Sequence, residues 1–440
     1  MCIRKQFFNQ IRGYAVKRKY PVNPEDAKKL PVFGYGISKA SYNRIFVWGC
    51  RETGALAVPQ KKEEEKFHKI SPIKYPKRLF FAENHEVTNV ACGFGFSIFS
   101  VNPNNDNSRL YGTGINSDSQ IGYHAIRENK PLEIIFSPVA IHLPLKEKKT
   151  RINKIAAGRA HTLVLTSEGL FTFGNNAYGQ CGRMIITDED YSNSHYVHKI
   201  SNVDDTIKDV ECGQDHSLIL TESGQVYSCG WGADGQTGLG HFNSESRFTR
   251  VLGDIANENI VKVSGRSDFV LAINDKGEVF GWGNTEYAQL DTPNDLQQVC
   301  NATFIEKCKG LGKIVDIAAG GSFCLILNED GQVFSWGYGL LGAGPKVQYS
   351  KKPVLLPEIL FGKNEFQTDS KVIKIKAGIG HAAAISNYGN LYMWGRNRSG
   401  CLGMGHDKDQ PFPFRVSVSG LVKDVSCGFD HSIALCKPFI

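Results

Sequence analysis

Self-similarity at a fixed period constrains a chain strongly, because every copy must fold alike and bury itself against its neighbours. Three stretches here align almost without gaps: INKIAAGRAHTLVLTSEGLFTFGNNAYGQCG from Ile152, IKDVECGQDHSLILTESGQVYSCGWGADGQTG from Ile207 and VIKIKAGIGHAAAISNYGNLYMWGRNRSGCLG from Val372. Weaker copies begin at Val87, Ile260 and Ile314. A glycine closes the aromatic phrase of each copy, at Gly49, Gly112, Gly174, Gly230, Gly283, Gly337 and Gly395. The step averages about 58 residues, longer than the roughly 40–50 of the common propeller repeats.

Each copy alternates short β-rich runs (Val226-Tyr227-Ser228-Cys229, Val333-Phe334-Ser335-Trp336) with turns such as Glu222-Ser223-Gly224 and Glu329-Asp330-Gly331. Short alternating runs bounded by glycine turns are hairpin strands. About four strands per copy, seven times over, predict an all-β fold: a seven-bladed β-propeller of four-stranded antiparallel blades. The chain enters on the second half of a copy, Arg44–Gly49, and leaves on the first half, Val422–Ser432. The N- and C-terminal half-repeats are therefore expected to share one blade and close the ring. Residues 44–440 become one domain, where length alone suggests about three.

The charge is unevenly spread. The whole chain is formally +7, but residues 1–24 hold Arg4, Lys5, Arg12, Lys17, Arg18 and Lys19 and no acid, which leaves the remainder close to neutral. Ile3, Phe7, Ile11 and Ala15 fall four apart, so a helix would carry them on one face. A basic, acid-poor, amphipathic start is the composition of a mitochondrial transit peptide, and Arg12-Gly13-Tyr14 suggests cleavage after Tyr14. The alternative is a basic tail. Residues 25–43 read as a linker. No apolar run approaches the roughly 18–20 residues needed to cross a bilayer. Of twelve cysteines, none stands in a C-x-x-C pair, so neither a zinc site nor a disulfide framework is indicated. Cys92, Cys212 and Cys427 recur in one phrase and Cys181 and Cys401 in another, as small buried residues would.

Histidine is the tempting catalytic residue. His161, His216, His381 and His431 share a slot three residues after the first-half glycine, but Phe96, Phe269 and Phe323 occupy it in the other copies. A position that accepts either ring is filling space, so the four histidines read as structural. No Ser-His-Asp order, H-E-x-x-H or P-loop is present. Catalytic residues, a metal and a cofactor are therefore not expected.

In an antiparallel meander the loops after strands one and three emerge on the same face. That face carries Arg51, Glu52, Asp118, Arg159, Asp215, Asp234, Arg266, Asp268, Glu286, Arg396, Arg398 and Asp430. The opposite face is assigned the hairpins and connectors, including the basic runs Lys146, Lys148, Lys149, Arg151 and Lys346, Lys351, Lys352. Lys148, Lys149, Lys351 and Lys352 are the candidate RNA contacts, through phosphates. The alternative is a solvated loop. Connectors 57–86, 183–206 and 345–371 are long enough to recognise a partner.

These phrases resemble the regulator of chromosome condensation family, whose seven-bladed propellers carry the repeat xxCGxxHSxxLTxxGxVYxWGxNxxGQxG. Gly174–Gly182, Val226–His241 and the ending Lys437-Pro438-Phe439-Ile440 are similar to its mitochondrial subgroup. Three departures stand out: Arg266 replaces a first-half glycine, Leu290 stands where glycine is expected, and Gly339–Gly342 lacks the glutamine. The resemblance implies guanine-nucleotide exchange, with the slot between glycine and histidine facing a GTPase. Arg159, Gln214, Asp215, Asp234, Asp268 and Asp430 become the GTPase-facing candidates. For Asp215 and Asp430 the alternative is the capping of a tight turn. The implied partner is a mitochondrial dynamin-like GTPase of inner-membrane fusion, with the protein in the matrix or peripheral to the inner membrane. A second reading from the same resemblance is a non-enzymatic ribosome assembly factor that binds large-subunit rRNA and pseudouridine-synthase partners. A nuclear, chromatin-bound factor is the third, and the amino terminus argues against it.

Overall fold

The computed structural model describes residues 42–59, 70–102, 108–127, 130–292 and 296–438. The leader 1–24, its cleavage point at Tyr14 and the linker 25–43 lie outside these residues, apart from Tyr42 and Asn43.

Seven four-stranded antiparallel sheets follow one another along the chain. The first blade runs from Val87–Cys92 to Ile134–Ala140, and the second from Ile152–Ala157 to His198–Lys199. The third runs from Ile207–Cys212 to Glu245–Arg250, the fourth from Ile260–Gly265 to Gln298–Phe304. The fifth runs from Ile314–Ala319 to Tyr349–Leu355, the sixth from Val372–Ala377 to Gln410–Val416. The seventh is shared: Leu421–Cys427 and His431–Lys437 pair with Arg44–Gly49 and Ile73–Arg78. Its join is a continuous ladder from Arg44 opposite Cys436 to Gly49 opposite His431, so the half-repeats close the ring as expected.

The first strand of every blade is innermost, and together these strands line a central channel. The second strands, such as HTLVLT and FCLILN, are buried along their whole length, because both faces of each sheet pack against neighbouring blades. Seven apolar clusters result, each spanning two adjacent blades. Trp48, Trp282, Trp336 and Trp394 on the third strands are among the largest fully buried side chains.

The repeated glycine has a steric cause. Gly230 sits at φ +107°, and a Cβ there would lie 2.4 Å from the Asp215 carbonyl oxygen. Gly283 repeats this at φ +102° against Asp268. Only glycine accepts that conformation at that distance. In the first blade this position is Gly114 (φ +114°, opposite Phe96), not Gly112. The sequence Tyr-Gly-Thr-Gly offers two glycines, and only backbone register distinguishes them.

Each inner strand also has a register shift near its start, a β-bulge that re-aims the residue following it. Around the ring that residue reads Asn89, Lys154, Asp209, Lys262, Asp316, Lys374 and Asp424. The charges alternate, and an odd ring leaves one place that cannot, which Asn89 fills. Lys154 pairs with Asp209 at 2.9 Å, Lys374 with Asp424 at 3.3 Å, and Lys262 with Asp316, each across a blade boundary. The partly exposed pairs Lys154–Asp209 and Lys374–Asp424 contribute at most about 1 kcal/mol each, but the alternation disfavours wrong neighbours.

The connectors 57–86, 183–206 and 345–371 are not purely loops. Each contains the outermost strand of a blade: Ile73–Arg78, His198–Lys199 and Tyr349–Leu355. Their burial patterns, iieiee and eieeiie for the two longer strands, lack a continuous buried face, so they carry little of the alternation that marks a strand in sequence.

Candidate partner face

The loops after the first and third strands meet on one face, as chain parity requires. Two sets of backbone hydrogen bonds fix them. Trp231, Asn284 and Arg396 donate their N–H groups to the carbonyls of Asp215, Asp268 and Gly380 at 2.8 Å, tying the third-strand loop to the slot loop within each blade. Between blades, Phe94 N–H donates to Gly158, Arg159 to Gln214, and Gly321 to Ile379. The residue after the first-half glycine position is thus held at the channel mouth. Around the ring it is Phe94, Arg159, Gln214, Ser267, Gly321, Ile379 and Phe429.

One sector of this rim, on the second to fourth blades, is acidic. Arg159 and Asp215 form an ion pair at 2.7 Å between blades. Gln214 donates to Ser267 at 3.3 Å, and Gln298 donates to Asp234 at 2.7 Å. Burial raises the Asp215 carboxyl, opposed by Arg159. Burial, reinforced by Asp234 and Asp215, pushes Asp268 up to about 6. The structure therefore brings Arg159, Gln214, Asp215, Asp234 and Asp268 together. Asp215 caps no turn: its carboxylate oxygens meet Arg159, one of them accepting from Nε at 3.1 Å.

Asp430 does not join them. It lies on the seventh blade, is 8% exposed, and turns inward to within 3.8 Å of His431 Nδ1. The slot position fixes its loop but not which way its side chain turns. The candidate lysines also separate. Lys148 and Lys149 are exposed in the connector from the first blade to the second, on the opposite face. Lys351 and Lys352 open the outermost strand of the fifth blade, beside Ser350, which pairs with Gly337 at the partner-face end. The expected shared basic face is thus divided, because the strand Tyr349–Leu355 within 345–371 carries Lys351 and Lys352 toward the partner-face end.

The four slot histidines are fully buried. His161 Nε2 meets Ser217 Oγ at 3.0 Å, His381 meets Ser432 at 3.1 Å, and His431 meets Ser97 at 2.9 Å, each on the next blade. Burial lowers His161 and His381 to about 3 and His216 to about 4. His161, His381 and His431 thus link neighbouring blades. His216 faces Val270, and neither ring nitrogen has a partner among the described residues.

The opposite sector, on the sixth, seventh and first blades, was not singled out in sequence. Ile379, Phe429 and Phe94 stand consecutively on its rim. Phe94 and Phe429 pack with ring centroids 5.3 Å apart. Arg398 lies over Phe429 and Arg266 over Phe94, each 5.9 Å from the ring centre. The signal available was the residue after the glycine position, which is large and apolar in three consecutive copies.

The comparisons agree with this architecture. The RCC1-like domain matches residues 38–357, and the regulator of chromosome condensation (RCC1) repeat matches 330–385 and 388–435. The chain belongs to the RCC1 repeat family. It is 44% identical to the RCC1-like G exchanging factor-like protein of Mus musculus, over 93% of this chain and 91% of that protein. The Homo sapiens protein of the same name is 43% identical, over 94% and 91%. The crystal structure of human WBSCR16 superposes with a TM-score of 0.84 at 43% identity, covering 90% of this chain and 100% of that one. Prp20p from Saccharomyces cerevisiae, at 18% identity and TM-score 0.72 over 91% of this chain and 92% of that one, shares the fold. The chain is thus a seven-bladed RCC1 propeller, similar over nearly its whole length to proteins named G exchanging factor-like.

Its departures from the RCC1 repeat now have physical content. Arg266, at the missing glycine, reaches across the channel: its guanidinium donates to the carbonyls of Cys92 (2.6 Å), Cys427 (2.8 Å) and Ala157 (3.2 Å). One side chain so ties the fourth blade to the first, second and seventh. Leu290 is not at a glycine position. It is buried, and the G-Q-x-G glycines correspond to Ala288, which adopts φ +57°, and Asp291. Trp48, Trp282 and Trp336 donate to Cys401, Gln236 and Gln289 carbonyls of the preceding blade. Trp394 has no indole partner among the described residues.

Proposed function

We propose that this RCC1 propeller is a mitochondrial guanine-nucleotide exchange factor acting on a dynamin-like GTPase, and that the acidic sector contacts the GTPase. Exchange needs no covalent chemistry. A face that binds the nucleotide-free GTPase more tightly than the nucleotide-bound form shifts the equilibrium toward release. Support for exchange comes from the near-full-length likeness to proteins named G exchanging factor-like. The observation that carries the choice of face is Asp268. It shares its surroundings with Asp215 and Asp234, and its raised carboxyl is ionised at neutral pH only at a cost to the fold. Residues that burden stability on an exposed rim are expected where a partner repays it. The mitochondrial part rests on the six bases and no acids of residues 1–24.

Purified protein should accelerate release of labelled GDP from the GTPase, and Asp215→Ala with Asp268→Ala should reduce that acceleration at least tenfold. No acceleration at micromolar protein would remove the exchange reading. Residues 1–24 fused to a fluorescent protein should direct it to mitochondria. Ribosome assembly has weaker support, since its basic candidates fall on two distant parts of the ring. Crosslinking in mitochondria that recovers rRNA and is lost on charge reversal at Lys148 and Lys149 would favour it instead.

A further inference from the structure

The rim has a sector that the exchange reading leaves unused. We propose that Ile379, Phe429 and Phe94 form the anchor of the partner interface, receiving an apolar side chain of a partner whose surrounding surface is basic. The proposal rests on the GTPase reading and names the chemistry of that contact.

Three observations carry it. First, the three side chains project from slot loops that backbone hydrogen bonds hold in place: Phe94 N–H to Gly158 and Gly321 N–H to Ile379 between blades, and Cys50 N–H to Asp430 within the seventh blade. Phe429 is 39% exposed in spite of its packing against Phe94. A preformed aromatic site loses little conformational freedom on binding, and aromatic residues dominate interface energetics. Second, Arg266 is built as a support. Its fork engages the carbonyls of Cys92 and Cys427, which immediately precede the slot loops of Phe94 and Phe429, and its guanidinium packs over Phe94. In the other six copies glycine stands at this place, so the support is specific to this arrangement.

Third, the facing sector of the same rim carries carboxylates: Asp215, Asp234 and Asp268 lie across the channel mouth from the aromatic pair. Charge complementarity then selects the occupant. A nucleic acid strand stacking its bases on Phe94 and Phe429 would carry its phosphates toward these carboxylates. A protein with an apolar side chain beside lysines or arginines satisfies both sectors at once. The acidic sector would set the association rate and its salt dependence, and the apolar sector the residence time.

The test measures binding of the nucleotide-free dynamin-like GTPase to the full chain by surface plasmon resonance at low and high salt. Phe94→Ser with Phe429→Ser should weaken affinity at least tenfold, mainly through faster dissociation and about equally at both salts. Asp215→Asn with Asp268→Asn should instead slow association at low salt. Phe366→Ser, at a residue 89% exposed on the connector after the fifth blade, should change nothing. If the double phenylalanine variant melts early, Phe429→Ser alone should still shorten residence at least threefold. Wild-type binding that the phenylalanine variants leave intact would overturn the anchor while sparing the exchange reading. No binding by wild-type protein would overturn both. Oligouridylate binding that is lost in the double variant, with GTPase binding unchanged, would assign the sector to RNA and contradict the proposal.

Discussion

The two sectors of the partner face share a backbone and differ in almost everything else. On the third and fourth blades, Gly230 and Gly283 take a positive φ against the carbonyls of Asp215 and Asp268. On the sixth and seventh, Gly395 and Gly49 do the same against Gly380 and Asp430. From that common frame one sector presents carboxylates, and the other presents two packed phenylalanines with arginines over them. The repeat therefore fixes where a slot residue stands, and the slot residue alone sets what the rim recognises. Substitutions should divide along this line: frame positions govern stability in both sectors alike, and slot positions govern recognition in one.

The largest effect should come from the frame. Gly283→Ala forces a Cβ to within 2.4 Å of a carbonyl oxygen at φ +102°. It should cost more than about 3 kcal/mol in urea unfolding, whereas Phe429→Ala should cost less than about 1 kcal/mol. Equal losses would erase the distinction between frame and slot. Arg266→Ala comes next. Losing three charge-assisted hydrogen bonds should cost about 2–4 kcal/mol, and hydrogen exchange should quicken at residues 92–95 and 427–430 more than at 213–215. Uniform quickening would mean that Arg266 supports the ring as a whole and not the apolar sector.

A smaller effect separates the acidic sector by pH. The folded carboxyl of Asp268 is raised to about 6 from an ordinary 3.8. Its contribution to stability is complete below pH 3.8 and is lost as pH rises through 6. Asp268→Asn should therefore stabilise the protein by about 1–2 kcal/mol at pH 8, with the gain gone by about pH 4. It should also impair exchange. A variant that is less stable at pH 8 would show that the charge is not a burden.

The smallest effect lies in the latch beneath both sectors. Burial holds His161, His216 and His381 below the ordinary 6.5, so their contribution is intact above 6.5 and lost as pH falls toward 3–4. His216→Phe should be neutral to slightly stabilising at pH 7 and should reduce acid sensitivity. His161→Phe should cost about 1 kcal/mol by removing the bond to Ser217 Oγ, whose hydroxyl keeps its bond to the Gln180 carbonyl. The reverse order in thermal melts at pH 7 would contradict the hydrogen-bond assignment.

Sequence reading recovers the features that sterics repeat. The glycines, the buried second strands and the half-repeats that become one blade recur in register, because each copy meets the same neighbours. It loses the outer strands, such as Ile73–Arg78, whose solvent side erases alternation, and it places Gly112 where Gly114 belongs. The alternating ring from Asn89 to Asp424 was present in the sequence, but only one residue per copy carries it. Within the site, Asp215, Asp234 and Asp268 could be grouped from loop parity. The inward turn of Asp430 and the reach of Arg266 across the channel could not, since both depend on what other blades place opposite them.

Hydrogen–deuterium exchange on the full chain with and without the nucleotide-free GTPase tests the central claim most directly. One face carries both sectors, so protection should appear together at 93–95, 213–215, 266–268 and 428–430, with none at 144–151. Protection confined to 144–151, or to the outer strand 349–355, would contradict the account.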